Sequence, residues 1–220
     1  MPQLIDLTMP IADHFRWPVQ RKTRGDFNQG DLFQVTQMSW AVHGFTHIDA
    51  PCHMVPGGPT TSDVDLSQVI GRAAVVDLSP LAPNTPVTSE MLLTAGSHME
   101  AGDIVLLKSC WDTVVSYKTP EFWTTAPYVT REAAEWLLER EIKAIGYDFP
   151  QDYPIRLLLD GIVAPIEEHI THDVLLRNGV IMIEYLQNMA ALTKPYTQLY
   201  ALPLKIPEAD GAPARVIAVQ

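Results

Sequence analysis

The sequence has few cysteines, few charged residues and no long apolar run. Its 220 residues include two cysteines, Cys52 and Cys110, which are too few for a disulfide framework and too far apart for a CxxC motif. Apolar runs such as 104–107 and 180–183 fall far short of the roughly 20 residues that cross a bilayer. The first ten residues carry Asp6 and no basic flank, so they do not resemble a targeting peptide. The sequence therefore predicts a cytoplasmic protein with no membrane span.

Basic residues are also scarce. Fifteen Lys and Arg face 26 Asp and Glu, and the formal net charge is -11. An acidic chain without a basic patch repels a phosphate backbone, so nucleic acid is excluded as an expected partner. No glycine-rich phosphate loop is present. The composition is that of an ordinary globular protein, and no repeat or linker interrupts it, so we predict a single domain over residues 1–220.

Short apolar runs predict a protein rich in strands. We predict buried strands at 73–78, 104–107, 143–146, 155–159, 180–183, 200–206 and 215–219. Helices are predicted after Thr130, after Ser89, and from Thr171 to Gly179. Strands outnumber helices and do not alternate with them regularly. This pattern favours an α/β fold with mixed sheets over a doubly wound nucleotide-binding fold.

Three of the seven histidines lie close together. His43, His47 and His53 fall within eleven residues, and Asp49 lies between them. All four positions are odd-numbered, so an extended chain would direct the four side chains to one side. A helix is disfavoured here because the segment contains β-branched residues and Pro51. The cluster predicts a site built on extended or looped backbone.

The spacing of this cluster requires a bend. A straight strand would separate His43 from His53 by about 33 Å, whereas two ligands of one ion have donor atoms about 3 Å apart. We expect the chain to bend at Gly44 and Pro51. Imidazole and carboxylate together suit zinc, manganese or iron, and a histidine beyond those needed as ligands indicates a catalytic site. The alternative is that these histidines lie on a surface loop or pack singly in the core.

A second candidate set follows later in the chain. Glu184 comes directly after the predicted strand 180–183, where burying a carboxylate is costly without a positive partner such as a metal ion. Alternatively, Glu184 reaches solvent or an arginine. His169 and His172 precede it, and spacing alone does not choose between them. Weaker candidates are Asp148, Asp160, His14 and His98.

The first cluster resembles a known family signature. The run from His43 to His53 is similar to H-x-G-T-H-x-D-x-P-x-H, the signature of the cyclase family of metal-dependent hydrolases, which includes kynurenine formamidases and isatin hydrolases. The matching positions are His43, Thr46, His47, Asp49, Pro51 and His53. Phe45 stands where the family has glycine, and Gly44 is expected to supply the flexibility one position earlier. The resemblance continues through residues 5–7, 17–18 and 146–150 and so extends over most of the chain.

This resemblance implies a fold and a ligand set. It implies a swivelling β/β/α fold and a homodimer or homotetramer, in which residues 15–18 help to line a neighbouring pocket. It implies one or two divalent ions, zinc or manganese. Their ligands would be His43, His47, Asp49, His172 and Glu184. His53 would then be the proton shuttle, and His172 is favoured over His169 by this analogy alone.

These observations predict a hydrolase. A bound metal lowers the pKa of a water from about 15.7 to about 7 and polarises a carbonyl, and His53 has an ordinary pKa near 6.5, which suits proton transfer. We predict cleavage of an amide C–N bond in a small aromatic substrate, either an arylformamide such as N-formylkynurenine or a cyclic amide such as isatin. Phe15, Trp17 and Phe45 would supply apolar walls, or they are ordinary core aromatics.

Three alternatives remain at the level of sequence. The same metal site would serve a lactone or ester hydrolase. A metal-binding homologue without activity would keep the same ligands. A cysteine hydrolase acting through Cys52 is less favoured, because alternation turns Cys52 away from the histidines.

Overall fold

The computed structural model describes residues 2–220 as a mixed α/β fold. The strands are β1 (Leu4–Asp6), β2 (Gln20–Gly25), β3 (Val35–Ser39), β4 (His47–Asp49), β5 (Ile70–Asp77), β6 (Pro86–Val87), β7 (Ile104–Lys108), β8 (Tyr128–Val129), β9 (Ala144–Tyr147), β10 (Ile181–Glu184), β11 (Tyr196–Pro203) and β12 (Gly211–Val219). The α-helices are α1 (Leu66–Val69), α2 (Ser89–Ala95), α3 (Trp111–Val114), α4 (Glu121–Thr124), α5 (Arg131–Glu139) and α6 (Ile170–Val174). None of the helices within residues 2–220 combines the length and apolar character needed to cross a membrane.

The main sheet has eight strands in the order β1-β12-β11-β5-β7-β9-β10-β4. Strands β5, β7, β9 and β10 run parallel to their neighbours within that group, and the remaining pairings are antiparallel. Strand β4 pairs with β10 on one side and with β12 on the other. This double pairing closes the sheet into a barrel-like ring. The α/β class with mixed sheets predicted from the sequence is confirmed.

The main sheet separates two hydrophobic cores. Alternate residues of β7 point to opposite faces: Ile104 and Leu106 pack in one core, and Val105 and Leu107 pack in the other. All of β7 is buried for this reason, and a strand buried on both faces appears in sequence as a continuous apolar run. The larger core also contains the buried apolar side chains of helices α2 to α6 and most of the buried aromatic side chains, whereas Val69 of α1 packs in the smaller core.

Six of the seven predicted strands are present, with ends shifted by a few residues. The prediction of a strand at 155–159 was wrong, because Tyr153–Asp160 is a 3₁₀ helix. Pro154 occupies its first turn, where proline is favoured, and Gly161 ends it in the left-handed conformation with φ 72°. The helices after Thr130 and Ser89 are confirmed as α5 and α2. The segment predicted from Thr171 to Gly179 divides into α6 and a 3₁₀ turn, Leu176–Asn178.

The histidine-rich segment is extended over a short stretch only. Strand β4 covers His47–Asp49, and Pro51–His53 forms a 3₁₀ turn, so the segment combines extended and looped backbone with a bend, as the sequence predicted. The chain bends at Pro51, as expected, but the other bend lies at Phe45, which has φ 63°. Gly44 is needed for close approach instead, because a Cβ on it would lie 3.2 Å from Cγ of Trp17.

Asp148 joins the carboxyl ends of two parallel strands. It follows β9 directly and is fully buried. Its carboxylate accepts hydrogen bonds from the backbone N–H of Ser109 (3.0 Å) and of Cys110 (2.7 Å) and from the Ser109 hydroxyl (2.6 Å), all just beyond β7. Asp148 therefore has a structural role in holding the two strand ends together.

We expect Asp148→Ala to lower the free energy of unfolding by about 2 to 6 kcal/mol, because two buried backbone N–H groups lose their acceptor at about 1 to 3 kcal/mol each. Urea denaturation followed by circular dichroism measures this loss. Asp63→Ala is the control: its carboxylate binds Thr60 at the surface, and its removal should have a smaller effect. Equal stability of Asp148→Ala and the unmodified protein would contradict this role.

Candidate metal centre

The centre of the site is built by two neighbouring strands. His47 and Asp49 are two residues apart on β4 and therefore project from the same face. Glu184, the last residue of β10, is the cross-strand partner of His47. Nε2 of His47 lies 3.1 Å from Oδ1 of Asp49 and 3.8 Å from Oε2 of Glu184. All three side chains are buried, and each can offer a ligand atom to one metal ion.

His172 reaches the same centre from helix α6. Its Nε2 lies 3.5 Å from Oδ2 of Asp49 and 3.5 Å from Oε1 of Glu184. The ring of His169 lies 6.2 Å from that of His172 and lines the cavity above the site. Of the two histidines that the sequence could not separate, His172 is the one in contact with both buried carboxylates.

His43 and His53 complete the open side of the cluster. Nδ1 of His43 lies 2.7 Å from Oδ1 of Asp49. The ring of His53 lies 4.2 Å from the ring of His43 and 5.6 Å from that of His172. About 30% of each of these two side chains is exposed to the cavity, at 28% for His43 and 31% for His53. All six residues predicted as metal ligands or proton shuttle thus lie around one point.

Three further residues support this cluster, and the sequence analysis did not find them. Oδ2 of Asp152 lies 2.6 Å from Nδ1 of His172, and Oδ2 of Asp210 lies 2.9 Å from Nε2 of His43. Gln151 donates a hydrogen bond to Oε1 of Glu184. Asp210 directly precedes β12, whose first residues pair with β4, but this pairing has no signal in the sequence.

The orientation of two histidines indicates that a cation belongs between the carboxylates. Nδ1 of His47 donates to the carbonyl of Phe45 (2.8 Å), and Nδ1 of His172 faces Asp152. The Nε2 atoms of both rings therefore point at Asp49 and Glu184, where a lone pair would face carboxylate oxygens. Metal-binding histidines are commonly fixed through their second nitrogen in this way.

The pKa directions of three groups reflect the density of carboxylates in the cluster. Burial, and then the charge of Asp49, raise the pKa of Glu184. Burial opposes the charged form of His47, but Asp49 and Glu184 outweigh it and raise its pKa. Burial likewise opposes a charge on His43, yet Asp49 and Asp210 raise its pKa to about 9. Each shift favours added positive charge at the centre of the cluster.

The donor atoms fit a divalent transition metal. Nε2 of His47 and Oδ2 of Asp49 are buried and have no hydrogen-bond partner within residues 2–220. Imidazole nitrogen and carboxylate oxygen are ligands that zinc and manganese both accept. The residues present therefore fit a metal ion held by His47, Asp49, Glu184 and His172, with His43 at its edge.

A cavity of about 460 Å³ opens above the cluster. Besides the metal-site residues, its walls include Arg16, Trp17, Met54, Ile155, Val163 and Tyr185. Of the three aromatic residues expected as substrate walls, Trp17 is in place. Phe45 has a left-handed backbone and is buried in the core against Trp17, with ring centroids 5.1 Å apart. Phe15 is 47% exposed and packs beside Trp123. It is not among the described residues that line the cavity.

Cys52 does not face the metal cluster. Its thiol points to the carbonyl of Ala209, at 3.7 Å. Burial and the charge of Asp210 raise the pKa of this thiol, so the thiolate needed for nucleophilic attack is disfavoured. Among the residues described, Asp160 and His98 also lie outside the cavity lining.

Comparisons with known proteins agree with the resemblance to the cyclase family. A family model described as "Putative cyclase" matches residues 5–151. The chain is 28% identical to the kynurenine formamidase of Bacillus mycoides over 221 residues, covering 98% of this chain and 96% of the relative. A similar match to the kynurenine formamidase of Bacillus cereus has 27% identity over 218 residues, covering 97% of this chain and 95% of the relative.

Solved structures share the fold. A predicted metal-dependent hydrolase from Bacillus stearothermophilus superposes with a TM-score of 0.74 and 27% identity, covering 100% of this chain and 98% of its own. Isatin hydrolase A from Ralstonia solanacearum has a TM-score of 0.79 and 21% identity, covering 99% and 92%. The second similarity concerns the fold alone.

We expect Asp152→Asn to weaken metal binding about 10- to 100-fold, because His172 loses the carboxylate that fixes its orientation and basicity. Competition with a chelator of known affinity measures the change for zinc and for manganese. Asp173→Asn is the matched control. Asp173 follows His172 on α6 but binds Arg131 and Arg177 away from the cavity. Equal metal affinity of Asp152→Asn and Asp173→Asn would refute the role of Asp152.

Proposed function

The chain belongs to the cyclase family, and from this premise we propose that it is a metal-dependent hydrolase that cleaves an amide C–N bond of a small aromatic substrate. One observation carries the metal dependence: Nε2 of His47 and Nε2 of His172 both point at the buried carboxylates of Asp49 and Glu184. The cavity above these groups supplies the space for the substrate.

We propose zinc or manganese, as one ion or two, held by His43, His47, Asp49, His172 and Glu184. When bound, such an ion polarises the amide carbonyl and makes water a stronger acid at neutral pH. The protein holds the ligands rigidly, because His47 and Asp49 are fixed in β4 and Glu184 in β10. Asp152 and Gln151 orient His172 and Glu184 from behind.

His53 is the proposed proton shuttle. Burial lowers its pKa, so the neutral ring predominates at pH 7 and can accept a proton from the attacking water. Its Nδ1 lies 3.5 Å from Oδ2 of Asp210, which leaves Nε2 as the atom for proton exchange. After attack, the same atom returns the proton to the departing nitrogen. This transfer lets an amine leave without developing negative charge.

The substrate proposal is an arylformamide, such as N-formylkynurenine, or a cyclic amide, such as isatin. Trp17 and Tyr185 support an aromatic substrate, since their rings lie 5.0 Å apart in the cavity wall, and the ring of Tyr185 lies 5.7 Å from that of His47. The kynurenine formamidases among the relatives support the amide class. The test is an assay of metal-loaded and chelator-treated protein on arylformamides, isatin and aryl lactones. Turnover of lactones alone would contradict the amide assignment.

We also propose that the protein assembles as a homodimer or homotetramer. The hairpin of β2 and β3 leaves apolar side chains exposed, among them Leu32 at 92% and Phe33 at 65%. Exposed apolar side chains of this kind are common at interfaces between subunits. Light scattering coupled to gel filtration measures the assembly, and a monomer at micromolar concentration would contradict it.

We expect His53→Ala to lower kcat by about 10²- to 10⁴-fold, because proton transfer by a positioned side chain contributes that much. Metal content should not change, since His53 is not needed as a ligand. Elemental analysis and an arylformamide assay measure the two quantities, with His98→Ala as the control outside the cavity. Unchanged turnover, or loss of metal from His53→Ala, would refute the shuttle role.

A further inference from the structure

Arg16 is a positively charged residue in the wall of the cavity. It stands beside Trp17 on the loop that follows β1, and it lines the same cavity as His43, His53 and His172. Its side chain is partly buried. An arginine that loses water normally gains a carboxylate or other acceptor in exchange.

Arg16 has no such partner. No carboxylate within residues 2–220 forms a salt bridge with it, and its Nε is buried without a hydrogen-bond acceptor. The arginines that do pair with acids have exposed side chains, as Arg72 has beside Asp103 and Arg215 has beside Asp6. Arg16 thus brings a positive charge without a paired acid to the cavity wall, and one of its N–H groups has no acceptor.

Aromatic rings hold the guanidinium in place. Its Cζ lies 5.9 Å from the centroid of the Trp17 ring and 5.5 Å from that of Trp123. In this kind of contact the aromatic rings stack on the flat faces of the guanidinium, and its in-plane N–H donors stay free. The rings therefore fix where the donors lie without occupying them.

The backbone of Arg16 is fixed as well. Its N–H donates to Nδ1 of His14 (3.2 Å), and Nε2 of His14 donates to the carbonyl of Tyr117 (2.8 Å). The ring of His14 also stacks on Trp17 at 4.9 Å. Burial, followed by the charge of Arg16, lowers the pKa of His14, which keeps the neutral form that this pair of hydrogen bonds requires. His14 accordingly anchors the loop that presents Arg16.

We propose that Arg16 binds a carboxylate on the substrate and so selects aromatic amides that carry one. Arg16 and the metal cluster line one cavity, and ring contacts connect them: Trp17 lies 5.9 Å from the Arg16 guanidinium and 5.0 Å from Tyr185, which lies 5.7 Å from His47. A flat substrate in this cavity would contact both while its ring rests on Trp17 and Tyr185. A guanidinium fork matches a carboxylate with two parallel hydrogen bonds. This inference rests on the proposed amide hydrolysis, and it adds that the substrate carries a negative charge.

The experiment uses formanilides that carry a carboxylate at the ortho, meta or para position, each beside its neutral methyl ester. With the metal-loaded protein, we expect at least one carboxylate to exceed its ester in kcat/KM by tenfold or more. In Arg16→Met, that carboxylate-to-ester ratio should fall about 10- to 100-fold, as expected for loss of a charged bidentate hydrogen bond. Arg16→Lys should recover part of this ratio, because lysine restores the positive charge but cannot form the two parallel hydrogen bonds.

Arg140→Met is the matched control. Arg140 also stacks on a tryptophan, with its Cζ 4.6 Å from the Trp136 ring centroid, but it is exposed at the end of α5. The ratio should be unchanged in this variant. Calorimetric titration with the aminobenzoate products gives a second readout, in which Arg16→Met should raise Kd and Arg140→Met should not.

The outcomes separate this inference from the proposed function. If the metal-loaded protein hydrolyses neither the formanilides nor isatin, the proposed function itself fails, and the calorimetric Kd still tests whether Arg16 binds a carboxylate. If it hydrolyses carboxylates and esters equally well, and Arg16→Met neither alters the ratio nor raises Kd, the amide hydrolase stands and the anion-binding role of Arg16 is overturned. Arg16 would then serve only to pack against Trp17 and Trp123.

Discussion

The site depends on the cost of burying negative charge. Asp49 and Glu184 lie within the folded sheet, and Asp152 and Asp210 stand behind the histidines that face them. Carboxylates at this density are unstable unless positive charge lies between them. The orientations of His47 and His172 follow from this constraint, since their Nδ1 atoms face acceptors and their Nε2 atoms face the buried acids. A divalent ion would neutralise the buried carboxylates and bind both Nε2 atoms.

The barrel-like closure of the sheet is what assembles that charge. Strand β4 is three residues long, yet it pairs with β10 and with β12, and each pairing delivers one acid: Glu184 beside His47, and Asp210 just ahead of Gly211. The two hydrophobic cores on either face fix the register of these strands, because a slip of one residue would turn every side chain to the opposite face. Packing far from the cavity thus sets the geometry of the ligands.

Sequence patterns could predict the parts of this architecture that are local. The continuous apolar runs located six of the seven expected strands, and the spacing of His43, His47, Asp49 and His53 located half of the site. Two kinds of feature were out of reach. The role of Asp152 depends on its contacts with Thr171 and His172 at the start of α6, and that of Asp210 on the pairing of β12 with β4; no local pattern records such contacts between distant residues. Phe45 was expected in the cavity, but a left-handed backbone at a phenylalanine is a property of the folded loop. Arg16 has a role only through the aromatic rings that the fold gathers around it.

The most direct test is anomalous diffraction from a crystal of the metal-loaded protein, recorded above and below the zinc and manganese absorption edges. The account predicts an anomalous peak that marks a metal ion about 2.0 to 2.2 Å from Nε2 of His47 and from carboxylate oxygens of Asp49 and Glu184, the usual distances for such ligands. Absence of any peak, with His47 and His172 instead hydrogen-bonded directly to the two acids, would contradict it.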